Sequence, residues 1–191
     1  MSYTPVVLVG PSGVGKGTVI SSLCAKYPQV WVSVSVTTRA PRPGEVEGKH
    51  YYFISDSQFD SLISSDGLLE WATYQSNKYG TPRAAVEDKI LHDRAVVMEL
   101  EVKGARQVRA RLAPLLTVFL APPSWEELER RLRGRGTEPD DVIARRLTTA
   151  REEMAAMDEF DHVIVNREVA TAVEELVNLI GLGADGQPVV S

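Results

Sequence analysis

An α/β fold, a parallel sheet with helices on both faces, is predicted by three features of this chain of 191 residues. The first is a Gly-rich turn between a short apolar run and a helical pattern near the N-terminus. The second is the alternation beyond it, apolar runs of strand length taking turns with segments of helical period. The third is a strand-rich interruption over residues 37–81, set into that alternation as a small mixed β insertion.

The turn lies in Val6–Thr18, VVLVGPSGVGKGT, and its spacing Gly10-x-x-x-x-Gly15-Lys16 is the phosphate-binding loop pattern. Glycines at 10, 13 and 15 allow conformations that a Cβ blocks, so that successive N–H groups can turn toward phosphate oxygens. The helix predicted over Lys16–Lys26 adds the positive end of its dipole, Lys16 adds a mobile cation, and Pro28 lies just beyond. Position 17 departs from the pattern: it is Gly17 where Ser or Thr is usual, and the hydroxyl comes at Thr18. A metal ion there is expected on phosphate oxygens and water, with Thr18 as the candidate ligand, directly or through water. Cys24 falls on the apolar stripe with Ile20 and Leu23 and reads as a buried structural thiol.

Trp31–Val36, WVSVSV, alternates and predicts a strand. Next comes Thr37–Tyr52, TTRAPRPGEVEGKHYY. Arg39 and Arg42 are braced there by Pro41 and Pro43, which suits bidentate grip on a phosphate. Tyr51–Ile54 and Leu68–Tyr74 read as strands flanking a helix that opens with the capping box Ser55–Gln58. Glu70 puts a carboxylate inside the second of these strands, and Asn77–Thr81, NKYGT, reads as a turn. A helix is expected over Pro82–His92 and a buried strand over Ala95–Glu101, ending on Glu99 and Glu101. Ligands gather at the carboxyl ends of strands in such sheets.

A helix over Lys103–Arg111, a strand over Leu115–Ala121 and a helix capped by Ser124 and Glu127 continue the alternation. Gly134-Arg135-Gly136 then reads as a loop with a cation at its tip. Ile143, Leu147, Ala150, Met154 and Met157 mark one helix face, with Arg145, Arg146 and Arg151 off it. His162–Val165 is the last strand, ahead of Asn166, and Val169, Val173, Leu176 and Ile180 mark the closing helix. The tail GADGQPVVS reads as loose.

Composition narrows the function. The net charge of −5 argues against a generic nucleic-acid binder, although seven of the fifteen arginines lie between Arg130 and Arg151. One cysteine excludes an internal disulfide, and His50, His92 and His162 lack ligand spacing. No apolar run reaches membrane-spanning length and no signal-peptide pattern opens the chain, so a cytoplasmic location is expected. Phosphoryl transfer requires two anions held in line while spreading charge is neutralised. Lys16 suits the donor phosphates, Arg39 and Arg42 an acceptor phosphate, and Arg135 with Arg146 the transferring group. No protein nucleophile is needed, because an acceptor phosphate oxygen is already ionised.

These residues carry a resemblance. From about Pro5 to Gly181 the chain resembles a guanylate kinase, a P-loop nucleoside monophosphate kinase, in GPSGVGKGT, SVTTRAPRPGEVEGKHY, LLEWA, KYGT, LAPPS and GRGTE. The pattern TTRxPRxGExxGxxY, Thr37–Tyr51, is far more specific than the loop alone. The resemblance implies a P-loop NTPase-type sheet and the reaction of ATP with GMP to give ADP and GDP, with Mg²⁺. It also implies three parts: a core of residues 1–36, 82–123 and 158–191, a GMP-binding insertion of 37–81 and a helical lid of 124–157. It puts ATP on Gly10, Pro11, Ser12, Gly13, Val14, Gly15, Lys16, Gly17 and Thr18, with Asn166 at the adenine end. It puts the GMP phosphate on Arg39 and Arg42, helped by Tyr51 and Tyr79, with Glu45 at the same pocket. Guanine falls to Glu70 and Ser35, with Thr81 beside them. The chemistry agrees, since guanine N1–H and N2–H₂ are paired donors for a carboxylate. Glu99 and Glu101, where the family often has aspartates, are candidates for guanine or metal waters. Lys16, Arg135 and Arg146 carry catalysis. Two other readings exist: a related P-loop kinase of another small molecule, and a non-catalytic guanylate kinase-like binding module. An intact Glu70, Ser35 and arginine pair weigh against the first, and Lys16 with Arg135 against the second.

Overall fold

A computed structural model describes residues 3–134 and 140–183. In chain order it runs β1 (Val6–Val9), α1 (Lys16–Lys26), β2 (Val30–Val32), β3 (Val36–Thr37), β4 (Tyr52–Phe53) and α2 (Asp56–Ser64). Then come β5 (Leu68–Tyr74), β6 (Asn77–Pro82), α3 (Arg83–Leu91), β7 (Ala95–Glu99), α4 (Val102–Arg111) and β8 (Leu116–Ala121). The last elements are α5 (Trp125–Arg133), α6 (Asp140–Ala155), a 3₁₀ turn at Met157–Glu159, β9 (His162–Val165) and α7 (Val169–Ile180). The predicted α/β class holds, with five parallel strands in the order β2-β7-β1-β8-β9. The loop expected around Arg135 and all but the first residue of the tail expected to be loose lie outside the described residues.

β1 is apolar throughout because both of its faces are covered, as parallel strands require. Val6 and Leu8 join α1, α5 and α7 through Leu23, Leu128, Leu132 and Leu176, while Val7 and Val9 join α3 and α4 through Val86 and Val108. Cys24 packs against the first of these clusters but is only half-buried. Leu23 is fully buried, so Leu23→Ala should cost about 2–5 kcal/mol, read as a lower urea midpoint. A loss near zero would contradict this packing.

Four strands form a second, mixed sheet in the order β4-β3-β6-β5, with α2 packing Phe59 against Val36 and Leu68. α2 opens on the predicted box, in which the Ser55 hydroxyl accepts the Gln58 N–H and the Gln58 side chain accepts the Ser55 N–H.

Two expectations are corrected. The strand expected over Trp31–Val36 is divided between sheets: the Ser33 N–H still donates to the β7 carbonyl of Val97 at 2.9 Å, whereas the Ser35 carbonyl accepts the Tyr52 N–H at 2.9 Å. The backbone changes partner across those serines, which alternation alone does not reveal. The turn expected over Asn77–Thr81 is strand β6, paired antiparallel with β5. The reversal sits earlier, at Gln75 and Ser76, with φ of 49° and 69°. Two positive φ values suit a two-residue hairpin, but neither residue is the Gly or Asn that usually announces one. Among the described residues no helix is long and apolar enough to cross a membrane.

Candidate active site

β1 ends at the sheet's carboxyl edge, and the Gly10–Gly15 turn carries the chain directly into α1. Gly15 has φ +102°, and a Cβ there would stand 2.8 Å from Asn166 Nδ2, so neither the conformation nor the space admits a side chain. Asn166, 3% exposed at the end of β9, donates from Nδ2 to the Val14 carbonyl at 2.8 Å and braces the loop from below. Lys16 Nζ turns back onto the Gly10 carbonyl and, at 3.4 Å, the Pro11 carbonyl. Burial lowers the Lys16 pKa, against the pull of Glu99, Glu153 and Glu101. A desolvated cation among loop carbonyls gains most when an anion arrives.

Two adjoining pockets meet at Ser12, Lys16, Gly17 and Glu99. The smaller, about 630 Å³, takes in Thr18 and Asn166 together with Arg131 and Arg167. The larger, about 890 Å³, runs from Lys16 to the second sheet and takes in Ser35, Arg39, Arg42, Glu45, Tyr51, Glu70, Tyr79 and Glu101. Within the loop itself, Gly10 and Val14 contribute their carbonyls to the bracing, and Pro11, Gly13 and Gly15 line the smaller pocket.

At the far end Arg39 is already set. Its Nη1 and Nη2 each donate to Glu45 at 2.9 Å, Nη1 also donates to the Ala40 carbonyl at 2.8 Å, and the Arg42 N–H donates to Glu45 at 2.7 Å. The guanidinium lies over Tyr51 at 5.3 Å and Phe53 at 5.9 Å, and Tyr79 hydrogen-bonds it. The Arg39 fork and the Arg42 N–H hold the Glu45 carboxyl down at about 2, and Glu45 in turn raises Arg39. Side chains ordered in advance bind an anion with less entropy to lose.

Glu70 lines the same larger pocket, 8% exposed on β5. Its Oε1 accepts the hydroxyl of Thr81, itself fully buried, at 2.7 Å. Burial raises the Glu70 pKa, the Thr81 hydroxyl opposes that, and Glu101 adds to it. Glu99 is likewise raised by burial and drawn back by Lys16. From α6, Arg146 Nη2 donates to Ser12 Oγ at 2.8 Å, and Glu153, two helical turns on, accepts the Ser12 N–H. Burial raises Glu153 as well.

The site residues expected from the sequence line these pockets or, for Gly10, Val14, Thr81 and Arg146, bond to residues that do, except Arg135, which lies outside the described residues. Among the further lining residues that belong to no motif in the sequence are Arg131, Glu153 and Gly104. Glu153 and Gly104 line the larger pocket. Arg131 is held by Glu127 at 2.7 Å and donates to the Val14 carbonyl at 3.2 Å and the Asn166 carbonyl at 3.4 Å. The one signal for it is its place between Leu128 and Leu132, the buried face of α5.

The sequence matches the guanylate kinase family over residues 2–181. It is 54% identical over 180 residues to a guanylate kinase of Parasynechococcus marenigrum (strain WH8102), covering 94% of this chain and 99% of the relative. It is 55% identical over 174 residues to a guanylate kinase of Thermobifida fusca (strain YX), covering 91% of this chain and 89% of the relative. The crystal structure of guanylate kinase from Anaplasma phagocytophilum superposes with a TM-score of 0.72 at 32% identity, covering 93% of this chain and 84% of that one. Matched in both sequence and fold over nearly all of its length, the chain belongs to the guanylate kinase family.

Proposed function

We propose that this protein transfers the γ-phosphoryl group of ATP to GMP, giving ADP and GDP. One observation carries the reading: a single cleft joins the phosphate loop at Lys16 to the buried carboxylate of Glu70, the Glu45-held Arg39 and Arg42. ATP lies along the loop from Gly10 to Thr18, with its base toward Asn166 and Arg131. The GMP phosphate meets Arg39, Arg42, Tyr51 and Tyr79, and Glu45 keeps the Arg39 fork in place. Guanine meets Glu70 and Ser35, Thr81 fixes the carboxylate, and Glu99 and Glu101 face the space between the nucleotides. Lys16, Arg146 and Arg135 neutralise the charge that spreads over the transferring group.

Gly17 leaves open space around its α-carbon and offers no hydroxyl. The remaining donors near it, Thr18 and Glu99, are oxygens that suit Mg²⁺. Mg²⁺ brought by ATP would be held by phosphate oxygens and water, with Thr18 and Glu99 as partners of that water, and would offset phosphate charge. The core of 1–36, 82–123 and 158–191, the GMP-binding insertion of 37–81 and the lid of 124–157 complete the reading. So does a cytoplasmic location.

Release of ADP in a coupled assay with GMP, AMP, CMP and UMP tests the proposal. GMP should be turned over far faster than the other three, and equal rates with all four would overturn it. A pH dependence is expected as well. Only the ionised Glu70 accepts both guanine donors, and its pKa is raised. The KM for GMP should therefore climb as pH falls through a value above the usual ~4.3 of glutamate. Arg39 and Glu45 stay paired down to about 2, so the protein's half of the phosphate clamp is not what is lost. A KM for GMP that is flat down to about pH 4.3 would contradict this.

A further inference from the structure

One face of α4 is built against the strand that carries Glu70. Gln107 accepts the Trp71 N–H at 3.2 Å and donates to the Trp71 carbonyl at 3.0 Å, so it pairs with the outer edge of β5 as another strand would. One turn further on, Arg111 Nη1 donates to the carbonyls of Leu68 and Leu69 at 3.1 and 3.3 Å. The backbone on both sides of Glu70 is thus tied to α4 and cannot retreat without breaking those bonds. Gly104 lies on the same face, three residues before Gln107, buried and at the cleft wall.

A Cβ at position 104 would stand 2.9 Å from Glu70 Oε2, 3.3 Å from its Cδ and 3.4 Å from its Cγ. The Glu70 carboxyl therefore occupies the room that any side chain at 104 would take. Its other oxygen is fixed by the Thr81 hydroxyl at 2.7 Å. The backbone of Gly104 is ordinary helix, so conformational freedom does not explain a glycine there, and in a helix interior glycine is the less stable choice beside alanine.

We infer that Gly104 is a positioning residue for base recognition: its missing side chain seats the Glu70 carboxylate between α4 and Thr81, square to the paired donors of guanine. This rests on the reading that Glu70 meets guanine. In Gly104→Ala the atom displaced is the free end of the Glu70 side chain, which moves more cheaply than either backbone. The helix keeps its place while the base reader turns away.

The test is kinetic and thermal together. Gly104→Ala should hold or raise Tm and leave the KM for ATP unchanged, while the KM for GMP rises by about tenfold or more, as a displacement near 1 Å can produce. Glu70→Asp shortens the reader by one methylene and clears the new methyl. The two changes should therefore couple: the double variant's KM for GMP falls at least about fivefold below the product of the single effects. If Gly104→Ala does not fold, the double variant should fold and match Glu70→Asp alone. An unchanged KM for GMP in Gly104→Ala, effects that simply multiply, or a double variant that also fails to fold would overturn the inference. In each of those cases the unmutated protein still phosphorylates GMP. Failure of the unmutated protein to do so would instead overturn the reading beneath it.

Discussion

Lys16→Ala should lower kcat by at least about 10²–10³-fold while the protein stays folded. Nζ is the only ammonium lining both pockets among the described residues, and it lies where the two meet. Its hydrogen bonds go to carbonyls of its own loop. Burial disfavours its charged form, so removing it relieves a desolvation cost and leaves the neighbouring Asn166 brace intact. The loss appears in the chemical step because charge grows on the β/γ bridge and the transferring oxygens as the bond breaks. Steady-state kinetics and a melting curve on the same preparation check both halves. Wild-type turnover in the variant, or a collapsed melting transition, would contradict the assignment.

Glu70→Gln should reduce the preference for GMP over AMP by a factor on the order of 10²–10⁴. An amide of the same shape offers one acceptor and one donor group where guanine needs two acceptors. The NH₂ then faces a guanine N–H, and a buried polar group is left unpaired. Thr81 can still donate to the amide oxygen, and a carboxyl whose pKa is already raised by burial is lost without large cost to the fold. The ratio of kcat/KM for GMP and AMP, with Tm measured alongside, separates recognition from stability. A preserved ratio would remove Glu70 from base recognition.

Much of this is legible in the chain. The Lys16–Lys26 helix, the Leu68–Tyr74 strand and the capped start of α2 depend on local patterns and appear where those patterns lie. The parts that are not legible depend on partners distant in sequence or on turns without their usual residues. Ser33 and Ser35 bond to different sheets, and nothing in WVSVSV announces the change. The hairpin at Gln75 and Ser76 lacks the usual turn residues. The mutual hold of Arg39 and Glu45 joins a cation and an acid that no local periodicity pairs. Gly104 acquires its meaning only when α4 is laid against Glu70, since a glycine opposite a carboxylate has no signature in either segment.

Direct transfer between two bound nucleotides, with no group passing through the protein, is the central claim, and ATP labelled at the γ-phosphorus tests it most directly. Incubation with GMP and magnesium should put the label into GDP, mole for mole with ADP formed, and none onto the protein. Label appearing as inorganic phosphate or on the chain, with no labelled GDP, would contradict it.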